Sequence, residues 1–349
     1  MSQKKVAIFG AGLLGRERIK AVRLLRERGL DVAVSGVYDP FLADAPKVLA
    51  DLDVPAYADP AAIWANRPDL VVIATPHDIA PEITVTALGH GLNVLLEKPM
   101  GRGMAEAELI FAQQRHPGQL WVGFNYRFFE GLSAALADLR AGAFGKLISI
   151  NMLLGHGHQP GAEQSWKLDP IKAGGGCLID PGIHLLDLCH YFAGPAVRAV
   201  GGTTWSGYWN TGIEEECNLL LDADGVAINL QVSIVRWRST MRIELHGTEG
   251  YAIITGKNRS FGPQTYVRGP RWGWRAGCTQ ADSERTIVET SGEAVFADEL
   301  AGLLWPRPDA VAQPCDADGG MASMRLLADC RRVLGLSDGE SKSRMDDRG

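Results

Sequence analysis

A carboxylate, an imidazole and a second carboxylate interrupt the mostly apolar stretch GGGCLIDPGIHLLD at residues 174–187. Asp180 and His184 are four residues apart, and Asp187 follows three residues later. On a helix these spacings would put all three side chains on one face. An imidazole near a carboxylate can accept or return a proton near neutral pH. The stretch therefore indicates proton-transfer chemistry.

A purely structural interpretation of the same residues is also open. In it, Asp180 caps a helix whose first residue is Pro181, and His184 is a core histidine. The catalytic interpretation is favoured because a lysine, Lys98, and a glycine-rich turn stand upstream in positions suited to a cofactor site. The glycines at 174–176 would then form a bend that brings the helix close to the cofactor.

The elements that must position these residues alternate between strand and helix. Apolar runs at 6–10, 32–39, 69–76 and 93–99 are typical of buried strands, with helical segments between them. The run at 120–127 is predicted to be the last strand of this unit. Such alternation predicts a parallel sheet that is covered by helices on both faces.

The first turn from strand to helix reads GAGLLG and fits the pattern G-x-G-x-x-G. Gly10 would allow a tight turn, Gly12 a close approach of pyrophosphate, and Gly15 close packing of helix on strand. The helix N-terminus would offer free N–H groups to the phosphates. This first unit is therefore predicted to be a Rossmann domain that binds a dinucleotide.

Asp39 ends the second predicted strand. Its carboxylate would accept hydrogen bonds from the adenosine ribose and repel a 2′-phosphate. Pro40 and Phe41 supply no cation that would offset this repulsion. The sequence therefore predicts NAD as cofactor, with NADP disfavoured; in the alternative interpretation Asp39 only begins a turn.

Glu97, Lys98 and Pro99 stand where a further strand ends, at the edge of the sheet where ligands bind. The proline keeps Lys98 out of helical geometry. A fixed ammonium group in a cofactor cleft can stabilise a developing alkoxide.

These motifs, in this order, resemble the glucose–fructose oxidoreductase/inositol dehydrogenase family, also called Gfo/Idh/MocA. The segments that carry the resemblance are GAGLLG, EKP, FNYRF at 124–128, GGGCLIDPGIHLLDL, ELHGTEGYAII at 244–254 and DADGGMASMRLLADCRRV at 316–333. The resemblance covers nearly the whole chain.

The resemblance implies an α/β fold of three parts. Residues 1–124 would form the Rossmann dinucleotide-binding domain with its doubly wound parallel sheet. Residues 125–335 would form an α+β domain with a large, mostly antiparallel open sheet, which binds substrate and pairs subunits into a homodimer or homotetramer. Residues 336–349 would form a flexible tail.

The resemblance also implies the site residues. Lys98, Asp180 and His184 would be catalytic, with His184 as proton acceptor in oxidation and Lys98 as donor to the reacting oxygen. The alternative is that Lys98 itself takes the proton. Cofactor contacts are expected from Gly10, Gly12, Leu13, Leu14, Gly15, Asp39, Thr75, Pro76, His77, Glu97 and Lys98. Substrate contacts are expected from Lys98, Arg127, Trp166, Lys167, Asp180 and His184.

The chain departs from the family pattern at several of these positions. His77 stands where Asn is frequent, Ala80 where His is frequent, and Lys167 where Arg is frequent, and Pro181 is a less usual neighbour of Asp180. The first two positions border the nicotinamide half of the cofactor pocket, so cofactor contacts there are expected to differ.

The implied function is that of an NAD(P)-dependent dehydrogenase acting on a secondary alcohol of a cyclitol, sugar or sugar derivative. An aminosugar is considered because Glu214, Glu215 and Glu216 form an acidic run, although such runs usually face water. Two alternatives stay open: an enzyme that uses NAD transiently in glycoside hydrolysis or epimerisation, and a sensor that binds cofactor without turnover.

Composition and charge argue against several classes of binding partner. A net charge of −6 without a basic cluster argues against nucleic acid. No apolar run approaches the roughly 20 residues of a membrane helix, and no signal peptide is apparent. Six scattered cysteines indicate reduced thiols in a cytoplasmic protein. His156 and His158 lack further ligands at suitable spacing, so no metal site is predicted.

Overall fold

Apolar runs in the first third of the chain form the strands of a parallel sheet. The computed structural model describes residues 3–41, 53–275, 277, 282–287 and 292–338. The parallel strands are β1 (Lys4–Phe9), β2 (Val32–Tyr38), β3 (Leu70–Ile73), β4 (Val94–Glu97) and β5 (Leu120–Gly123). Every residue of β3 and β4 is buried, as expected for strands covered on both faces. The predicted alternation of strand and helix is thereby confirmed.

Helices cover both faces of this first sheet. They are α1 (Leu13–Glu27), α2 (Pro60–Ala65), α3 (Ala80–Gly89) and α4 (Met104–Ala112). Val6 and Ile8 of β1 belong to a hydrophobic cluster that includes residues of α1. Ala7 and Phe9 belong to a second cluster, which includes residues of α3 and α4. Because alternate side chains of a strand point to opposite faces, both faces of the sheet are packed.

Eight strands form a second, mostly antiparallel sheet. They are β6 (Leu147–Gly155), β7 (Val197–Trp205), β8 (Glu216–Ala223), β9 (Val226–Ser233), β10 (Thr240–Gly247), β11 (Gly250–Thr255), β12 (Gln264–Pro270) and β13 (Ser283–Ile287). Their order across the sheet is β13-β12-β11-β10-β6-β9-β8-β7, with β6 and β9 parallel to each other. Asp224 and Gly225, both at positive φ, make a tight turn between β8 and β9.

The remaining helices belong to the second half of the chain. They are α5 (Glu130–Arg140), α6 (Pro170–Ala173), α7 (Ile183–Ala193), α8 (Gly292–Leu304) and α9 (Ala317–Leu334). Leu185 and Leu186 of α7 share one hydrophobic cluster with Ile228 of β9, so α7 packs on the inner face of the second sheet. Leu220 of β8 is exposed on the other face. None of the helices in the described ranges is long and apolar enough to cross a membrane.

Segments near the C-terminus return to the first sheet. Strand β14 (Cys315–Asp316) pairs antiparallel with β5, which gives the order β14-β5-β4-β3-β1-β2. Helix α8 packs on α1, and Leu300 lies in the same cluster as Val22. Residues of the segment that was predicted to form the substrate domain therefore also pack against the dinucleotide domain. The boundaries at 124/125 and 335/336 stay predictions, and most of the proposed tail, residues 339–349, lies outside the described ranges.

The sequence predicted reduced thiols, and five of the six cysteines lie in the described ranges. Cys177, Cys189, Cys217, Cys315 and Cys330 are buried free thiols. Burial raises the pKa of Cys189 and Cys315 well above the usual range, so these thiols are inert at neutral pH. Cys278 lies outside the described residues.

Candidate active site

A cavity of about 750 Å³ lies between the carboxyl ends of the first sheet's strands and the second sheet. This edge is where parallel sheets of this type bind their ligands. All predicted cofactor-binding residues except Gly15 line the cavity, and so do all predicted substrate-binding residues except Arg127. Segments far apart in the sequence therefore converge on one space.

The glycine turn between β1 and α1 is built as its spacing predicts. Gly10 has φ +96°, and a Cβ atom there would lie 2.6 Å from the Ala74 carbonyl oxygen. A Cβ atom on Gly15 would lie 1.9 Å from the Gly10 carbonyl oxygen, so this glycine permits the helix to pack on the turn. A Cβ atom on Gly12 would meet nothing within 4 Å, and Gly12 lines the cavity. The turn therefore leaves open backbone where a pyrophosphate would approach, and it fits a dinucleotide.

Asp39 lies at the end of β2, on the cavity wall. Its carboxylate accepts hydrogen bonds from the backbone N–H of Ala11 at 2.7 Å and of Phe41 at 2.8 Å. The carboxylate thus ties the end of β2 to the glycine turn. Each oxygen keeps acceptor capacity, because a carboxylate oxygen can accept more than one hydrogen bond.

Glu97 lines the cavity, but its carboxylate is engaged on the protein side. It accepts a hydrogen bond at 2.6 Å from Arg18, which also forms an ion pair with Glu299 of α8 at 2.6 Å. Burial raises the pKa of Glu299 to about 7. Arg18 is fully buried, so the two carboxylates compensate an otherwise costly internal charge. Glu97 therefore anchors the end of β4, immediately before Lys98.

Asp180 links two lysines at the substrate end of the cavity. Its Oδ1 accepts a hydrogen bond from Lys98 Nζ at 2.7 Å, and its Oδ2 accepts one from Lys167 Nζ at 2.9 Å. Burial opposes the charged carboxylate, but Lys167 and Lys98 hold the pKa of Asp180 well below its usual range. The carboxylate is therefore ionised at neutral pH and fixes the position of both ammonium groups.

The local backbone around Asp180 differs from the prediction. Helix α7 begins at Ile183 with Gly182 as its N-cap, so Asp180 precedes the helix. The expectation that Asp180 and His184 share a helical face is therefore wrong, and so is the alternative in which Asp180 caps the helix. The glycine run has a clear steric reason: a Cβ atom on Gly176 would lie 1.9 Å from the carbonyl oxygen of Glu214.

His184 is held flat against a tyrosine. The rings of His184 and Tyr126 stack with centroids 3.8 Å apart and planes at 7°. Burial, with the charges of Lys98 and Lys257, lowers the pKa of His184 well below its usual range. His184 Nδ1 is buried, and no hydrogen-bond partner for it occurs in the described part of the chain. The imidazole is therefore neutral at neutral pH, so one of its two ring nitrogens carries no proton.

His77 joins the cofactor side of the cavity to the substrate side. Its Nδ1 donates a hydrogen bond at 2.9 Å to the carbonyl of Ala173, and its ring makes an edge-to-face contact with Trp166, with the ring centroids 4.8 Å apart. Burial lowers the pKa of His77 to about 4. This residue departs from the family pattern, and here it connects the turn after β3 to the loop before the glycines.

Arg127 requires a correction. Its guanidinium donates to both carboxylate oxygens of Asp187, at 2.9 and 2.5 Å, and lies over the ring of Tyr191. Arg127 is not among the residues that line the cavity. A guanidinium already bound in this two-pronged way is satisfied, so the predicted substrate contact is not what the structure shows. Asp187 is thereby a partner of Arg127 rather than of His184.

Tyr126 and Lys257 line the cavity, although they are not among the residues predicted from the sequence. Lys257 follows β11 and donates a hydrogen bond to Tyr126 Oη at 2.6 Å. Tyr126 belongs to the FNYRF motif, in which the neighbouring Arg127 was the residue expected to contact substrate. Lys257 carried no signal at all, because a lysine after a strand is usually a solvated residue.

Two family models match the chain. Residues 4–124 match the oxidoreductase family with NAD-binding Rossmann fold, and residues 134–253 match the GFO/IDH/MocA C-terminal domain. The first model supports NAD as the cofactor of the glycine turn, in agreement with the open backbone at Gly12. The second model covers most of the strands of the second sheet.

Individual relatives agree with the family models. A protein of Amycolatopsis mediterranei, provisionally named UDP-kanosamine synthase oxidoreductase subunit, is 28% identical over 72% of this chain and 74% of its own length. The scyllo-inositol 2-dehydrogenase (NAD(+)) of Bacillus subtilis is 27% identical over 57% of both chains. The structure of levoglucosan dehydrogenase in complex with NADH superposes with a TM-score of 0.81 at 16% identity, over 95% of this chain and 97% of that one. The chain belongs to the Gfo/Idh/MocA family and is an NAD(P)-dependent oxidoreductase.

Proposed function

We propose that the protein oxidises a secondary alcohol of a sugar, a cyclitol or a derivative of these, or reduces the corresponding ketone, with NAD as cofactor. The observation that carries the proposal is the position of Asp180 between Lys98 and Lys167, beside the stacked His184, in a cavity that also contains the glycine turn. An ionised carboxylate, ammonium donors and a neutral imidazole suit the removal of an alcohol's proton. The names of relatives that act on scyllo-inositol or levoglucosan point to the same substrate class.

The residues of the cofactor end fit a dinucleotide. Gly10, Gly12 and the first N–H groups of α1 would hold the pyrophosphate, and Asp39 would hold the adenosine ribose. When bound, the nicotinamide accepts or returns a hydride. Lys98 would lie where cofactor and substrate meet, because it follows β4 and its Nζ reaches Asp180.

The chain's own groups would manage the proton. Oxidation of an alcohol takes a hydride from the carbinol carbon and a proton from the hydroxyl oxygen. Lys98 would donate a hydrogen bond to the substrate oxygen and stabilise its developing negative charge. His184, neutral and held by Tyr126, would take the proton from that oxygen and return it in reduction. Asp180 would keep Lys98 and Lys167 in place.

Lys98 as proton acceptor is the second possible assignment. In that case a neutral Lys98 would take the proton directly, and His184 would bind the substrate hydroxyl. The two assignments differ in which substitution removes the proton-dependent step, so pH profiles of the two variants separate them.

We also propose that residues 125–335 bind the substrate and join subunits. The outer face of the second sheet has a shallow cavity of about 500 Å³ lined by residues of β6, β7, β8, β9 and β10, with Leu220 exposed beside Asn218. Such a face suits pairing with a second copy into a dimer or tetramer. Light scattering on the purified protein tests this: a monomer at micromolar concentration would contradict it.

A cofactor-reduction screen tests the proposed activity. NADH formation is measured by absorbance with inositols, pyranoses, sugar acids and sugar phosphates, for the natural protein and for His184→Ala and Lys98→Ala. We expect NADH to accumulate with at least one of these compounds. We expect kcat to fall by roughly 10²–10⁴ in each variant while the Kd for NADH changes only a few-fold. Equal losses of NADH binding and turnover would contradict the roles assigned to the two residues.

The same screen separates the other classes of enzyme. A glycosidase or epimerase that oxidises its substrate only transiently would convert a compound without accumulation of NADH. A sensor would bind NADH and convert none of the compounds.

A further inference from the structure

The substrate end of the cavity contains more positive than negative charge. Lys98, Lys167 and Lys257 line it, and Asp180 is the carboxylate that lies between the first two. The neighbouring imidazole of His184 has a lowered pKa and adds no charge at neutral pH. Asp180 therefore leaves part of the lysine charge at this end uncompensated.

Lys257 is the lysine without a counter-ion. Its Nζ donates to Tyr126 Oη at 2.6 Å and lies 4.3 Å from the ring centroid of Phe261 and 4.9 Å from that of Tyr126. It forms no ion pair with any carboxylate in the part of the chain that the structure describes. Aromatic rings offset only part of the cost of removing an ammonium group from water. Consistent with this, burial lowers the pKa of Lys257 to about 8.

The other carboxylates on the cavity wall are engaged elsewhere. Glu97 binds Arg18, and both oxygens of Asp39 accept backbone hydrogen bonds at the far, adenosine-ribose end. The carboxylates that raised the possibility of an aminosugar are also engaged: Glu215 accepts two backbone N–H groups, and Glu214 accepts the N–H of Leu178. Neither Glu214 nor Glu215 lines the cavity.

We propose that Lys257 recognises an anionic group of the substrate, and that the substrate is a sugar or cyclitol carrying a carboxylate or a phosphate. The inference rests on the proposed function, because it assigns a substrate class to the same site. An ammonium ion that is poorly hydrated and lacks a counter-ion gains a charge-assisted hydrogen bond from such a group. A cationic aminosugar would instead be repelled by the same lysines.

The position of Lys257 fits a contact away from the reacting carbon. Lys257 and His184 contact different parts of the Tyr126 side chain, because the Tyr126 hydroxyl binds Lys257 and the Tyr126 ring stacks on His184. A substrate with its reacting hydroxyl at His184 would therefore present a different substituent to Lys257. A bound anion would also neutralise one of the cations that lower the pKa of His184, and so favour proton acceptance there.

Binding of matched ligands tests the proposal without turnover. The NADH-saturated protein is titrated by calorimetry with glucose, glucuronate, glucose 6-phosphate and glucosamine, and with myo-inositol and inositol 1-phosphate. We expect at least one anionic compound to bind on the order of 10-fold or more tightly than its neutral parent, and glucosamine to bind no better than glucose. The glucuronate and phosphate arms tell which anion the site takes.

Three variants test whether Lys257 is the source of the preference for anionic ligands. Lys257→Met, which keeps the length of the side chain, should reduce the preference for the anion about 10-fold or more, and Lys257→Arg should retain most of it. Lys172→Met, which removes an exposed lysine of α6 that does not line the cavity, is the matched control and should change nothing. Circular dichroism confirms that each variant is folded.

Several results would overturn the proposal. They are an equal affinity for neutral and anionic compounds, weak binding of every anion, and an anion preference that survives in Lys257→Met. Loss of NADH binding in Lys257→Met, with the sugar preference intact, would also overturn it, because Lys257 would then serve the cofactor. NADH formation from a neutral sugar without any preference for charge would refute this inference and leave the proposed function standing.

Discussion

The Tyr126 ring lies flat on the His184 imidazole, with the two planes only 7° apart. The Tyr126 hydroxyl is held in turn by Lys257. The stack fixes the plane of the imidazole, so the ring nitrogens can exchange protons only along directions within that plane. The tyrosine is thereby a positioning residue for the proposed proton acceptor.

Two substitutions of Tyr126 separate its ring from its hydroxyl. Tyr126→Phe keeps the stacked ring and should leave kcat within a few-fold of the natural value. Tyr126→Leu removes the stack, and we expect kcat to fall about 10-fold or more because misplacement of a catalytic group by about 1 Å is costly. The pH profile of kcat should also change in Tyr126→Leu, because the surroundings of His184 change. Equal kinetics and equal pH profiles for the two variants would refute the positioning role.

The glycine turn offers a matched pair of substitutions. Gly12→Ala should fold normally, since a Cβ atom there meets nothing within 4 Å, but should weaken NADH binding about 10-fold because the methyl group enters the phosphate side of the cavity. Gly15→Ala should instead lower Tm, because its Cβ atom would lie 1.9 Å from the Gly10 carbonyl oxygen. Thermal unfolding and NADH fluorescence titration measure both effects. Normal NADH affinity in Gly12→Ala would argue against a pyrophosphate at this turn.

Asp39 is expected to set the choice between the two cofactors. Asp39→Ser removes the charge that would repel a 2′-phosphate, so the ratio of Kd values for NADPH and NADH should fall, by roughly 10-fold or more. Asp39→Asn is the second variant, of nearly unchanged size: it removes the charge and keeps one side-chain oxygen, which can accept the backbone N–H of Ala11 or of Phe41 but not both. Unchanged cofactor preference in both variants would show that discrimination lies elsewhere.

His77 should make the protein less stable in acid. Its pKa is about 4 in the folded protein and about 6.5 when unfolded, so the unfolded chain binds more protons between these values. Stability from this group is therefore complete above pH 6.5 and is lost as the pH falls toward 4. In urea unfolding, the free energy of unfolding of His77→Asn should fall by about 1 kcal/mol less than that of the natural protein between pH 7.5 and pH 5.5. Parallel losses in the two proteins would contradict the lowered pKa.

Much of the fold could be predicted because its signals are local. Buried runs such as β3 and β4, the glycine turn and the tight turn at Asp224 and Gly225 each depend on residues close together in the sequence. The return of β14 to the first sheet had no such signal, since a two-residue strand has no periodicity.

The site was predictable in its members but less so in its geometry. Lys98, Asp180 and His184 meet in one cavity, yet Asp180 arrives there from a turn before α7 rather than from the helix. Arg127 was expected to bind substrate, but its guanidinium is hydrogen-bonded to Asp187, which lies three residues after His184. Lys257 comes from a distant strand end, and only the folded chain brings it to Tyr126.

A crystal structure of the protein with NADH tests the central claim most directly. The claim is that Lys98, Asp180 and His184 surround the carbon that carries the hydride. The account predicts the pyrophosphate over Gly12 and the nicotinamide C4 facing Lys98 and His184, with a gap that one substrate carbon and its oxygen can fill at roughly 3–3.5 Å contacts. A nicotinamide ring bound away from these three side chains, or pyrophosphate bound elsewhere than at the glycine turn, would contradict it.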